Sequence, residues 1–326
     1  MRSALAFAAL ALALGVAIAL RLGLDWPAPD LPRAARDAIL ELRLIRVAIA
    51  IVVGASLAIA GVLLQCLLRN PLASPDLIGM GPGAGLALTI AAFLASQRGH
   101  TLAPLGYAGG AGIALAGAFT TLALVYALSR RRASLQPTTL VLVGVVISMV
   151  CGSGTVALQQ LLPDRGLSIT RWFLGALDDD APWSSVGAFA ILALVAGALA
   201  SLTGPWLDAS TLAPSEARSL GVPLARLRVA LFIASGVLTA AAVTLAGPVA
   251  FVGLVAPHLA RLALGARHRI LVPAAAFIGA ALVVAADALV SLIDLGAGRL
   301  PVGIVTTLIG APVFITMLRT RERSWL

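Results

Sequence analysis

Apolar residues run through this chain in long blocks divided by short polar intervals. The blocks lie at roughly 2–20, 44–68, 80–95, 102–129, 137–161, 184–203, 224–246, 250–264, 270–293 and 301–318. A helix needs about 20 residues to cross the hydrocarbon of a bilayer, so ten blocks predict ten membrane spans, those near 80–95 and 250–264 being short. The first block follows Met1-Arg2, exceeds a usual secretory h-region and has no clear cleavage site after it, so it reads as a retained span. The expected fold is an all-α polytopic membrane protein, one transmembrane domain over 1–326.

The longest polar interval is 204–228. Inside it Pro214 opens a short helix with Glu216 in its first turn, where a negative charge suits the helix dipole. Gly221 stops that helix, and Pro223 opens a second one leading into the next apolar block. The pattern predicts a helix–Gly–helix platform between two spans: either an ordinary ordered loop or a surface on which another protein pushes.

Composition agrees with the pattern. The chain is 60% hydrophobic and 11% charged, with mean hydropathy +1.02, which excludes a soluble domain. All 23 basic residues are arginine. Without lysine there is no phosphate-gripping P-loop and no Schiff-base catalysis, so any ATP hydrolysis must be done by another chain. With the N-terminus inside, 14 arginines fall on the inner side and nine on the outer, which predicts cytoplasmic termini and a cytoplasmic 204–228. The high pI is thus a topology signal, and nucleic acid is not expected as a partner.

An internal repeat is visible. Positions 46–63 and 228–245 share 8 of 18 residues, beginning Arg46-Val-Ala and Arg228-Val-Ala. Five spans separate the copies, so spans two to five and seven to ten form an inverted repeat, a transporter architecture. Each copy leads to a Gly/Pro-interrupted short span, 79–85 in one half and 247–257 in the other. Paired broken spans point to a translocation path. The spacings Gly81-x-x-x-Gly85 and Ala108-x-x-x-Gly112 predict close helix packing.

Candidates for chemistry are few. Asp287 is the one acidic residue well inside a predicted span, and Ser291 and Asp294 follow it at helical spacing. An intramembrane carboxylate is either a functional group or a residue paired with a neighbouring helix or an outer arginine. Arg43 and Arg46 share a helix face at the outer mouth of the second span, as interface anchors or as a cationic patch for an acidic partner. The three histidines are scattered and the two cysteines remote, so no set of metal ligands is expected. Cys151-Gly-Ser-Gly154 lacks the context of an intramembrane protease.

Several strings resemble one family. They are Arg43-Leu-Ile-Arg46; Gly61-Val-Leu-Leu-Gln65; Arg69-Asn-Pro-Leu-Ala-Ser-Pro-Asp-Leu-Ile-Gly79; Glu216-Ala-Arg-Ser-Leu-Gly-Val222; Phe251-Val-Gly-Leu-Val-Ala-Pro-His-Leu-Ala-Arg261; and the run from Leu300 to Pro312. Together they are similar to the FecCD-type permease subunit of bacterial ABC importers for iron-siderophores, haem and cobalamin. The resemblance implies a ten-span permease of the inner membrane, embedded in lipid and working as a homodimer. Two ATP-binding subunits, which carry the ATP-Mg, would dock inside, and a periplasmic binding protein would deliver the chelate. This chain itself would hold no cofactor and catalyse no reaction. By position, Glu216, Ala217, Arg218, Gly221 and Arg226 would couple to the ATPase. Arg43, Arg46 and Arg299 would meet the binding protein. Asn70, Leu72, Thr138 and Thr139 would belong to the cytoplasmic gate. Ser291 stands where the family commonly has arginine and Arg299 where it has glutamate, and the triple Asp178 to Asp180 after the matching stretch 170–177 reads as a solvated periplasmic turn. The alternative from another class is an ion-coupled secondary transporter using Asp287.

Overall fold

The computed structural model describes residues 2–23, 32–98, 106–131, 134–135, 137–162, 174–178, 181–293 and 300–322. Among them the chain forms α1 (Arg2–Gly23), α2 (Arg33–Leu68), α3 (Met80–Gln97), α4 (Gly106–Ser129), α5 (Pro137–Gln160) and α6 (Trp183–Leu202). Two short helices, α7 (Gly204–Ser210) and α8 (Pro214–Ser219), precede α9 (Leu224–Ala246), α10 (Val252–Leu264), α11 (His268–Ser291) and α12 (Val302–Glu322). Every predicted block is therefore a helix. Eight are long and apolar enough to cross a membrane, and α10 and the apolar part of α12 are shorter. Apart from a two-residue antiparallel pair, Arg130–Arg131 with Ser134–Leu135, the fold is helical.

The hub is α2. Its apolar residues lie on all sides, the pattern of a helix enclosed by others, and from Val47 onward it is almost wholly buried. It packs chiefly against α9 and α11. Glycines permit the close approach: a Cβ on Gly54 would run into the Gly279 carbonyl of α11, and one on Gly61 into the Gly253 carbonyl of α10. By contrast Gly112 faces open space within the single chain, so the Ala108/Gly112 spacing does not mediate packing there.

The start of α2 differs from the expectation. The helix begins at Arg33 rather than near 44, and its 36 residues span about 54 Å against a hydrocarbon thickness of about 30 Å. Hydropathy ended the span where Arg33, Arg36, Asp37, Glu41 and Arg43 interrupt the apolar run. Those are adequate helix formers, and no Gly or Pro breaks the helix after Pro32.

The inverted repeat is visible in the backbone. α2 runs from the end of the bundle holding Arg46 towards 204–228, and its counterpart α9 runs back the other way. Each then leads into its short span through a left-handed residue, Gly79 (φ 80°) before α3 and Phe251 (φ 67°) before α10. The lead-in loops pack reciprocally: Pro248 of the second lies against Gly81 of α3, and Pro75 of the first lies against Gly253 of α10.

Candidate functional site

The crossing of the two lead-in loops is the first element of the site. After α2 the chain turns at Arg69, whose φ of 50° is left-handed, and climbs back alongside the helix it has just left. Gln65 Nε2 donates to the Ala73 carbonyl at 3.2 Å, and Pro75 then reaches Gly253 beside the Leu57 carbonyl. The return brings Asp76 alongside the middle of α2, exposed on the surface of the single chain. Its carboxylate accepts from Ser74 Oγ at 2.9 Å and from the Phe251 N–H, so it holds the second loop to the first. Asp76 also lies at the start of α10, where the helix dipole favours a negative charge. Sequence reasoning missed this residue; the signal was a Pro-Asp pair directly before a broken span.

Gate candidates Asn70 and Leu72 sit in the turn below that crossing. Asn70 Oδ1 accepts from the Leu72 N–H at 3.0 Å, closing a local turn that leaves Asn70 exposed. Thr138 and Thr139 occupy the first turn of α5, exposed and half-buried. α5 packs against the same returning segment, since a Cβ on Gly79 would meet Ser148 Oγ at 2.7 Å.

The second element is the platform formed by α7, α8 and the start of α9. Pro214 opens α8 and the Glu216 carboxylate accepts from the Ala213 N–H at 3.2 Å, satisfying one helix-end donor. Gly221 adopts φ 78°, as its place after the helix requires, and nothing lies within 4 Å of where its Cβ would be. Ala217 is fully buried, seating α8 on the bundle, while Glu216, Arg218, Gly221 and Arg226 are exposed. The helix α7 was not anticipated. It anchors the platform: Asp208 Oδ1 lies 2.6 Å from His268 Nδ1 and accepts the His268 N–H at 3.0 Å, capping α11.

At the opposite end of the bundle is a buried charge cluster. Asp287 Oδ2 accepts from Arg21 Nε at 2.5 Å and Oδ1 from Arg46 Nε at 2.7 Å, with all three side chains at most 6% exposed. Arg43, also buried, donates to the Leu22 carbonyl at 3.4 Å. The paired reading of Asp287 is therefore the observed one, and Arg21 is a partner that sequence reasoning had left in a loop. Each carboxylate oxygen is taken by a guanidinium, which argues against an open ion-coupling site. Ser291 takes no part in the cluster, its hydroxyl donating back to the Ala288 carbonyl at 2.7 Å. Arg43 and Arg46, expected at the outer mouth, are interior because α2 continues past them. Arg299, Asp294, Asp179, Asp180 and the stretch 163–173 lie outside the described residues.

Among the described residues no group of His, Cys, Asp and Glu is placed to hold a metal ion. A transport machine built of crossing loops, an exposed platform and an inverted repeat is what the geometry offers. A profile described as the FecCD transport family matches residues 4–320.

The chain belongs to the FecCD transport family.

Named relatives agree. The cobalamin import system permease protein of Halobacterium salinarum is 35% identical over 92% of this chain and 81% of its own length. The hemin transport system permease protein of Yersinia pestis is 36% identical over 87% of this chain and 84% of that protein. The Fe(3+) dicitrate transport system permease protein of Escherichia coli is 35% identical over 90% and 85%. A solved metal-chelate type ABC transporter in an inward-facing conformation superposes with a TM-score of 0.82 at 30% identity, covering 97% of this chain and 99% of that one. Family and fold together make this protein a multi-pass ABC permease.

Proposed function

We propose that this protein is the permease subunit through which a bacterial ABC importer moves a metal-chelate (an iron-siderophore, haem or cobalamin) across the inner membrane. The observation that supports this most directly is the platform: a short capped helix, a left-handed glycine and three exposed charged residues joined to the N-terminus of α9. Such a part transmits a push. In this reading two copies of a separate ATPase seize Glu216, Ala217, Arg218, Gly221 and Arg226 from the cytoplasm, with both chain termini on that side. The displacement travels along α9 to the Pro248–Phe251 loop, which leans on Gly81 and Asp76 of the other repeat. Asn70, Leu72, Thr138 and Thr139 close the cytoplasmic side of the path, which runs between two copies of this chain. A periplasmic binding protein docks at the opposite end, at the mouth formed by the start of α2, with Arg43, Arg46 and Arg299 as the arginines assigned to that contact. The whole chain acts as one permease domain, and it binds ATP-Mg only through its partners.

Vesicles reconstituted with this protein, its cognate ATPase and its binding protein test the reading. Uptake of chelate should require ATP inside the ATPase compartment, and should stop when either partner is left out. Uptake driven by a proton or sodium gradient with no ATPase present would establish the ion-coupled alternative instead. Titration of the binding protein with ferric siderophore, haem and cobalamin identifies which chelate is carried.

A further inference from the structure

At the edge of the platform the structure contains a cavity of about 440 Å³, which shares Asp208 with the platform and Asn70 with the gate candidates. It lies where three elements converge: the C-terminal end of α2, the helix α7, and the turn between α10 and α11. Arg69 lines it from the α2 side, and Arg261 and Arg267 from the side of α10 and that turn. A single carboxylate, Asp208, is also present, but it is already bonded to His268 and to the first N–H of α11. Among the described residues no carboxylate comes within ion-pair distance of any of the three arginines.

Two buried atoms of residues that line the cavity lack partners. Arg261 Nη1 is a donor with no acceptor, and Gln65 Oε1 is an acceptor with no donor. A buried polar atom left without a partner costs free energy, so each is a mark of something that binds. The ligand that satisfies both carries an anion for the guanidiniums and a hydrogen-bond donor for the glutamine. A phosphate has the tetrahedral oxygens that guanidinium forks grip two at a time, and a carboxylate side chain brings no donor. The cavity sits at the level where spans end. Trp206 of α7 is half exposed two residues from Asp208, as aromatic side chains are at a membrane interface. Basic pockets between helices at this level bind phospholipid headgroups.

We propose that this cavity is a phosphate-binding site for a group carrying both a phosphate and a hydrogen-bond donor, as in a phosphoglycerol headgroup or dihydrogen phosphate. Arg261 grips the phosphate, Arg69 and Arg267 close over it from the rim, and Gln65 Oε1 receives the donor. An occupant there ties α2 to the α10–α11 turn directly beneath the platform.

The full-length protein in neutral detergent is titrated with inorganic phosphate by calorimetry. In parallel it is recovered from nanodiscs of phosphatidylcholine, with or without phosphatidylglycerol, and retained lipid is counted by native mass spectrometry. Phosphatidylglycerol shares the phosphodiester of phosphatidylcholine and adds the donor. Phosphate binding in calorimetry identifies a free ion as the source. Selective retention of phosphatidylglycerol identifies a lipid. In either case Arg261→Gln and Arg267→Gln should weaken binding about tenfold, the loss of one charge-assisted bond, while Arg98→Gln at a distant helix end should not. Arg267 is exposed, so its variant keeps the test valid if Arg261→Gln does not fold. The proposal is overturned if neither ligand binds, or if both variants bind as the wild type does. It is equally overturned if they lose only the ATPase, which would make the cavity a socket for a protein carboxylate.

Discussion

The two ends of this molecule use the same amino acid for opposite purposes. At one end Arg21 and Arg46 are almost fully enclosed and converge on Asp287, stitching α1 and α2 to α11. At the other, Arg218 and Arg226 are exposed, and Arg218 Nε donates locally to the Pro214 carbonyl at 2.9 Å. What differs is the neighbour. A buried guanidinium must be met by an acceptor inside the protein, and Asp287 supplies one; an exposed guanidinium is satisfied by water until a partner replaces it. The enclosed end is therefore held by its own contacts, and in the proposed function the exposed end is where the ATPase takes hold. A machine that is pushed from one side needs both.

The contrast can be broken at the enclosed end first. Asp287→Ala leaves two buried guanidiniums without their carboxylate, and should cost about 3–5 kcal/mol of stability, seen as a large drop in the thermal unfolding midpoint in detergent. A drop no larger than that of an exposed substitution would mean that the triad fixes nothing. Next in size is Gly61→Ala, since the added methyl meets the Gly253 backbone and neither helix has a flexible group to give way. Overpacking of this kind should cost about 1–3 kcal/mol, with separation of α10 from α2 that a disulfide-trapping experiment across the contact would register. Smallest is Gly221→Ala. The methyl has open space around it, so only the φ of 78° is opposed, and the penalty should be about 1 kcal/mol, confined to the platform. Hydrogen exchange should accelerate in 214–223 and stay unchanged in α2 and α11.

The spans were readable in advance because burial in lipid and burial in protein both demand apolar residues, and the chain uses blocks of them throughout. The platform was readable because Pro214, Glu216 and Gly221 each act through local backbone chemistry. Arg43 and Arg46 were harder. Their interior position depends on α2 continuing past five charged residues and on Asp287 arriving from 241 residues away, and no window along the chain contains both. Asp76 was missed for a similar reason: its position is set by a loop folding back along α2, held by Gln65 and Gly253, and hydropathy carries no record of that return. The helix α7 escaped notice because its seven residues are too few to show a period.

The claim on which the rest depends is that force enters at the exposed platform and nowhere else in this chain. It is tested by ATP-driven chelate uptake into vesicles containing the cognate ATPase and binding protein, comparing wild type with the double variant Glu216→Ala/Arg218→Ala. Both residues are exposed, so the variant should fold with an unchanged unfolding midpoint. Its transport should fall by about tenfold or more, as loss of a central contact in an interface does. Unchanged uptake by a variant that is folded and assembled would contradict the coupling role of the platform.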